Sequence, residues 1–249
     1  MCHTHNSNDS SYTQFINDLE LAQNQIDFNY DSISKEYLCK MNFVKYFELF
    51  DKLYIDSNWT LESHYRHFGH AGRPLLLAFE KGNKLSDSIK YELDKSFENK
   101  ENKELLDDDI SKKLFNYQKS IDYMNCIRIL DNKMGYFQFV VFELIGDNYC
   151  KFWHSNYGKM SIIVSKKKLK ELVNLKNDFY YKFSTTEKKT IMNIEPVPFV
   201  MIRDSYALVE IVALSPWKGF SRKTFKISKE WPHKIQIVDN YRLFMRIRI

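Results

Sequence analysis

The sequence predicts an α+β fold: a helical N-terminal half packed on an antiparallel, meander-type β-sheet in the C-terminal half, arranged as a sandwich or partly closed barrel. Three observations carry this. Apolar residues recur at helical spacing up to about residue 122, and short alternating runs punctuated by turn residues take over from 123. Charge changes sign at the same place: residues 1–122 hold 15 Lys+Arg against 21 Asp+Glu, net −6, and residues 123–249 hold 22 against 11, net +11. With 19 Phe, 16 Tyr and 4 Trp among 249 residues, the chain has apolar surface enough to repay its conformational entropy, which excludes wholesale disorder. Residues 1–10 read as a flexible polar tail, 11–122 as an acidic helical region and 123–249 as a basic β region, with no low-complexity linker to keep the two from sharing one core.

In chain order, Tyr12, Phe15, Ile16, Leu19, Ala22 and Ile26 mark a first helix, capped by Ser10 or Ser11. A second helix is expected over about 34–54, apolar around most of its circumference and therefore buried against several partners. Residues 60–68 read as a short helix ended by Gly69, and Gly72-Arg73-Pro74 as a turn into a strand at 75–79. Leu85, Ile89, Leu93 and Phe97 predict a further helix; Asp107-Asp108-Asp109 suits the N-terminus of another, where negative charge opposes the helix dipole. Strands are expected at 124–130, 136–144, 149–154 and 159–164. After a helix capped by Ser165, further strands are expected at 190–194, 199–202, 206–214, 220–227, 235–238 and 241–249.

Several function classes fall away. No stretch of about 18 uncharged apolar residues predicts a membrane helix. The start shows neither the basic nor the apolar region of a signal peptide. Four scattered cysteines (Cys2, Cys39, Cys126, Cys150) fit a reducing compartment, so a cytoplasmic location is expected. Only seven glycines occur, with neither dinucleotide-binding nor P-loop spacing, and there is no Gly-x-Ser-x-Gly elbow. These patterns do not decide between an enzyme and a binding protein, and they call for no organic cofactor.

Three clusters of residues carry chemistry. If residues 60–68 are helical, His64 and His67 lie one turn apart, and Gly69 could swing His70 toward them as a third ligand for a divalent transition metal. That would support a metal-assisted hydrolase or nuclease; the competing account is ordinary surface histidines. Cys2, His3 and His5 could serve a nucleophile, but read better as part of the polar tail. The third cluster is basic and aromatic. On extended chain, Arg242, Phe244, Arg246 and Arg248 share one face, while Arg222 and Lys226, with Lys223 between them, lie on a second strand. Phosphate contacts beside a stacking ring suit nucleic acid. The plainer account is a solvated sheet face whose arginines discourage edge pairing. The expected function is thus nucleic-acid binding, with a metal-assisted hydrolase and a non-catalytic module for an acidic protein partner as alternatives.

Overall fold

The computed structural model describes residues 9–27, 43–68, 71–84, 86–88, 90–91, 122–146, 152–153, 160–174, 183–215 and 219–244. The helices are α1 (Asp9–Asp27), α2 (Phe43–Phe47), α3 (Lys133–Ile145), α4 (Lys166–Asn174) and α5 (Thr185–Met192). The strands are β1 (Leu53–Ile55), β2 (Trp59–Phe68), β3 (Ala71–Glu80), β4 (Ile127–Ile129), β5 (Phe152–Trp153), β6 (Ser161–Ile163), β7 (Phe199–Ile202), β8 (Tyr206–Ser215), β9 (Gly219–Ser228) and β10 (Ile235–Phe244). The fold is α+β with antiparallel sheets, as the two periodicities require. The largest sheet runs β10-β9-β8-β6, with β7 also pairing β8, and it is open rather than closed into a barrel. Smaller sheets join β1 to β4 and β2-β3-β5. Among the described residues no helix is long and apolar enough to cross a membrane.

The centre of the molecule is α3, and here the sequence reading is corrected: 136–144 is helix, not strand. The segment is apolar on every side, which hides its period, and Phe137, Phe139, Val140, Val141 and Phe142 are all fully buried. Asn132 starts the helix, its side-chain oxygen accepting the Gly135 N–H at 2.8 Å. A side chain at Gly135 would collide with the Leu130 carbonyl oxygen, so the chain can enter the helix this tightly only with glycine. From one side α1 packs edge-on, with Tyr12 and Phe137 ring centres 4.6 Å apart; from another, Phe50 meets Phe142 at 5.0 Å. On a third side lie Val200, Ala207, Val209, Ile211, Phe225 and Ile227 of the large sheet, in the same core.

The buried amides Gln138 and Gln23 of this core are engaged by named partners. The Gln138 amide accepts the Lys52 N–H at 2.8 Å and donates to Asp51 at 2.7 Å, holding the turn before β1 against α3. The Tyr46 hydroxyl accepts from Gln23 and donates to the Ile145 carbonyl, tying α1, α2 and the end of α3 together.

A second, smaller core covers the other face of the sheet at one end. Leu169, Leu172 and Val173 of α4, with Ile191 of α5 and Ile194, close over Ile163, Val212, Leu214 and Phe220. Segment 190–194, expected as a strand, is the end of α5 and its exit turn. Ser184 and Glu187 form a reciprocal capping box there, a helix-start signature that outweighs the β-branched Thr190 and Ile191.

Other expectations also change. The second helix stops sooner than expected: α2 ends at Phe47 and Leu53 belongs to β1, while 28–42 lies outside the described residues. Segment 60–68 belongs to β2, paired along its whole length with β3 from Trp59↔Glu80 to Phe68↔Ala71. Gly72-Arg73-Pro74 is part of β3, not a turn. Residues 124–130 open with a 3-10 turn, Tyr123–Cys126, and only Ile127–Ile129 is strand. The two C-terminal strands are one, β10. The helix after Ser165 and the strands at 159–164, 199–202, 206–214 and 220–227 appear where expected. Most of 85–121, including Asp107–Asp109, lies outside the described residues.

Candidate nucleic-acid interface

Register assigns each side chain of the large sheet to a face, because residues directly opposite each other in antiparallel strands share one. Ala207, Val209 and Ile211, with Phe225 and Ile227, point to α3. The alternate residues form the second face. Toward β6 that face is sealed by α4 and α5; toward β7 it has no cover among the described residues. Cross-strand rows run there as Phe199–Glu210–Thr224–Asp239 and Met201–Leu208–Lys226–Gln236, with Tyr206–Ser228 beyond and Val212–Arg222–Tyr241 at the margin of the covered end.

This open half-face carries aromatic rings and cations side by side. Phe199 is 54% exposed and Tyr241 64%. The Lys226 ammonium lies 4.6 Å from the centre of the Tyr206 ring, a cation–π contact. Lys226 and Lys234 are both exposed, and no carboxylate among the described residues lies within 4 Å of either. Arg222 has a structural role instead. Its Nε is 3.4 Å from Glu210 Oε1, an ion-pair distance without hydrogen-bond alignment, and a terminal nitrogen donates to the Glu195 carbonyl at 3.0 Å.

The loop from Lys229 to Lys234, which contains a cis Trp231–Pro232 bond, sets one end of this surface. Three contacts dock it onto the body of the protein. The Arg128 guanidinium lies 4.4 Å over the Trp231 ring, and its Nε donates to the buried Asp56 carboxylate. Lys229 pairs with Asp131 at 2.7 Å. His233 is buried, its Nδ1 2.9 Å from the Ser228 carbonyl and its Nε2 3.3 Å from the Ile129 N–H. A carbonyl only accepts and an N–H only donates, so Nδ1 carries the proton and the imidazole is neutral. Burial pushes the His233 pKa below the ordinary imidazole value; the nearby Arg128 charge adds to this, while the Ser228 bond and Asp131 act against it. Hydrogen bonding from Arg128, then from the Asn58 N–H, holds the Asp56 carboxyl below the usual carboxylate range.

The expected basic row is only partly assembled. β9 and β10 are neighbours, and Arg222 and Lys226 share a face. Arg242 does not join them: it pairs with Ser221, on the face that carries Lys223, Phe225 and Ile227. A register shift between Arg242 and Phe244 breaks the alternation that would place these two together. Phe244 packs against the second core, its ring 6.2 Å from Phe183, and is not free to stack on a base. Arg246 and Arg248 lie outside the described residues. Phe199, Tyr206, Lys234 and Tyr241 were missed by sequence reading. Alternation from Phe225 outward would have placed Lys226 on the outer face, but Tyr241 reaches that face only through the irregularity between Ile237 and Asp239.

The helix that would set His64 and His67 one turn apart is a strand, where residues three apart alternate between faces. The side chains of His64 and His67, and all of His70, lie outside the described residues, as do Cys2, His3 and His5. Among the described residues no three His, Cys, Asp or Glu side chains cluster closely enough to hold a metal ion. Cys126 is a poor nucleophile: burial pushes its thiol pKa up to about 12, and its Sγ donates to the Tyr123 carbonyl.

A scan of protein-family models matches no family, and searches of the curated proteins and of the solved structures find no match.

Proposed function

We propose that the protein binds single-stranded nucleic acid on the open half of its largest sheet, with Phe199 and Tyr241 as stacking platforms and Lys226 and Lys234 as phosphate contacts. The observation that carries this is the pairing of two solvent-facing rings with two carboxylate-free lysines on one uncovered antiparallel face. Bases stack on aromatic rings whatever their sequence, and lysine neutralises the backbone beside them. The net charge of +11 over residues 123–249 favours a polyanion. This reading keeps Lys226 from the sequence-based set and replaces Phe244 with Phe199 and Tyr241.

The test is binding of a labelled single-stranded oligonucleotide across a salt series. Tyr241→Ala and Phe199→Ala should each weaken binding by about 1–3 kcal/mol, and duplex binding should suffer less, because its bases are not available to stack. If the parent protein binds no oligonucleotide at low salt, the reading falls, and an acidic protein partner for the same cations replaces it.

A further inference from the structure

We propose that the recess bounded by Ser205, Tyr206, Lys226, Ser228, Lys234 and Gln236 is a binding site for a phosphate oxyanion. It deepens the reading above and rests on it only for what carries the phosphate. The recess has a volume of about 260 Å³. That is below the roughly 300–1,000 Å³ of pockets that hold whole drug-sized ligands, so a small group of a larger molecule is the better fit.

Its lining is chemically one-sided. Two lysines, an amide and three hydroxyl-bearing residues surround it, and no acidic side chain does. The contrast with its surroundings is informative. Lys229, next to the recess, is neutralised by Asp131, and Arg222, further along β9, faces Glu210. Two lysines that line one recess with no acidic side chain among its walls favour an anion there. Lysine suits phosphate here as a point charge, without the fixed fork of arginine.

The walls are built before any ligand arrives. Gln236 stands directly opposite Lys226, and Tyr206 opposite Ser228. The Ser228 hydroxyl is spent on structure, accepting the Lys234 N–H at 2.7 Å and donating to the Glu230 carbonyl at 3.0 Å. The Ser228 N–H closes the same loop onto the Lys234 carbonyl at 2.9 Å, and the Lys229 N–H reaches the Ser205 carbonyl at 3.0 Å. With His233 anchored to Ile129, the backbone of Lys234 is held in place, while the Tyr206 ring braces the Lys226 ammonium. Four residues of strand separate Lys226 from Arg222, the neighbour of Tyr241. That is about 13 Å, so one strand of nucleic acid lying along the face would meet both the recess and the ring.

The phosphate could belong to a phosphodiester backbone or to a small phosphate monoester, and the test separates the two. Inorganic phosphate, a nucleoside 5′-monophosphate and an oligonucleotide are titrated into the wild-type protein, into a Lys226→Gln/Lys234→Gln double variant and into a Lys226→Arg/Lys234→Arg control. Both lysines are exposed, so unchanged thermal unfolding of the variants should confirm that the fold is intact. Saturable phosphate binding is expected in the wild type, lost in the Gln variant and retained in the Arg control. For the oligonucleotide, losing both contacts should flatten the log–log salt slope by about 1.4. Phosphate or monophosphate binding that needs the two lysines, with no oligonucleotide binding, upholds the site and overturns the nucleic-acid reading. Oligonucleotide binding with an unchanged salt slope in the Gln variant, and no saturable phosphate binding in the wild type, overturns the site and leaves the nucleic-acid reading standing.

Discussion

The two faces of the large sheet are made from the same strands and carry opposite fates. On the α3 side, Val209, Ile211, Phe225 and Ile227 are sealed beneath a helix whose residues 136–142 are all buried. On the other side, α4 and α5 cover Val212, Leu214 and Phe220, but Phe199 and Lys226 a few residues away along β7 and β9 remain open. A strand therefore does not define a surface. What defines it is which helix reaches which half of the face, and the half left bare is where exposed rings meet Lys226 and Lys234, beside the Glu210–Arg222 pair and Asp239.

The comparison breaks first at its aromatic residues. Phe139→Ala empties a site inside α3 and should cost about 3–5 kcal/mol, whereas Phe199→Ala should stay within about 0.5 kcal/mol while weakening oligonucleotide binding. Denaturant unfolding of the two variants checks this directly. Comparable losses would mean that the open half-face is packed against something and is not a binding surface.

A smaller effect should come from the histidine that anchors the loop. His233→Ala leaves the Ile129 N–H and the Ser228 carbonyl without their buried partner, for a loss of about 1–3 kcal/mol. In the wild type the folded-state pKa lies below the unfolded value of about 6.5, so the unfolded chain takes up a proton that the native state resists. The contribution is complete above about pH 6.5 and should fall away as pH drops through that value toward the folded pKa. Unfolding free energies of wild type and variant should converge over that acid range. A gap that stays constant from pH 7.5 to pH 5 would remove His233 as the cause.

The smallest effect sharpens the contrast between paired and unpaired cations. Glu210→Gln releases Arg222 from a half-exposed ion pair, which should change stability by no more than about 1 kcal/mol. It should also raise oligonucleotide affinity modestly, since one more positive charge on the open face is uncompensated. Weaker oligonucleotide binding in this variant would mean that Glu210 itself contacts the ligand.

Periodicity alone was enough for α1 and α4, because each buries one stripe and so shows one clean repeat, and short apolar runs between turn residues were enough for β7, β8 and β9, although β8 and β9 bury residues on both faces. It was not enough for α3, whose residues 136–142 are all buried and show none. Length and the Asn132 cap were the available signals, since a 13-residue segment broken only by Lys133, Gln138 and Glu143 is too long for an ordinary strand. For α5 the capping box was present in the letters and was outweighed by β-branched residues. Segment 60–68 reads as a short helix ended by Gly69, but it is β2, and its partner is β3, a neighbour in sequence that a local window does not weigh.

For the candidate site the division is sharper. Composition and order of residues determined that the C-terminal half is basic and aromatic and carries an antiparallel sheet, and that Arg222 and Lys226 share a face. Only tertiary structure decided that Arg222 is occupied by Glu210, that Arg242 and Phe244 part company at the register shift, and that Tyr206, Lys226, Lys234 and Gln236 converge on one recess. The physical reason is that side-chain alternation is a local property, readable along one strand. Strand register, irregularities and helix coverage come from pairing and packing between segments distant in sequence, and these fix which of the alternating residues meet solvent together.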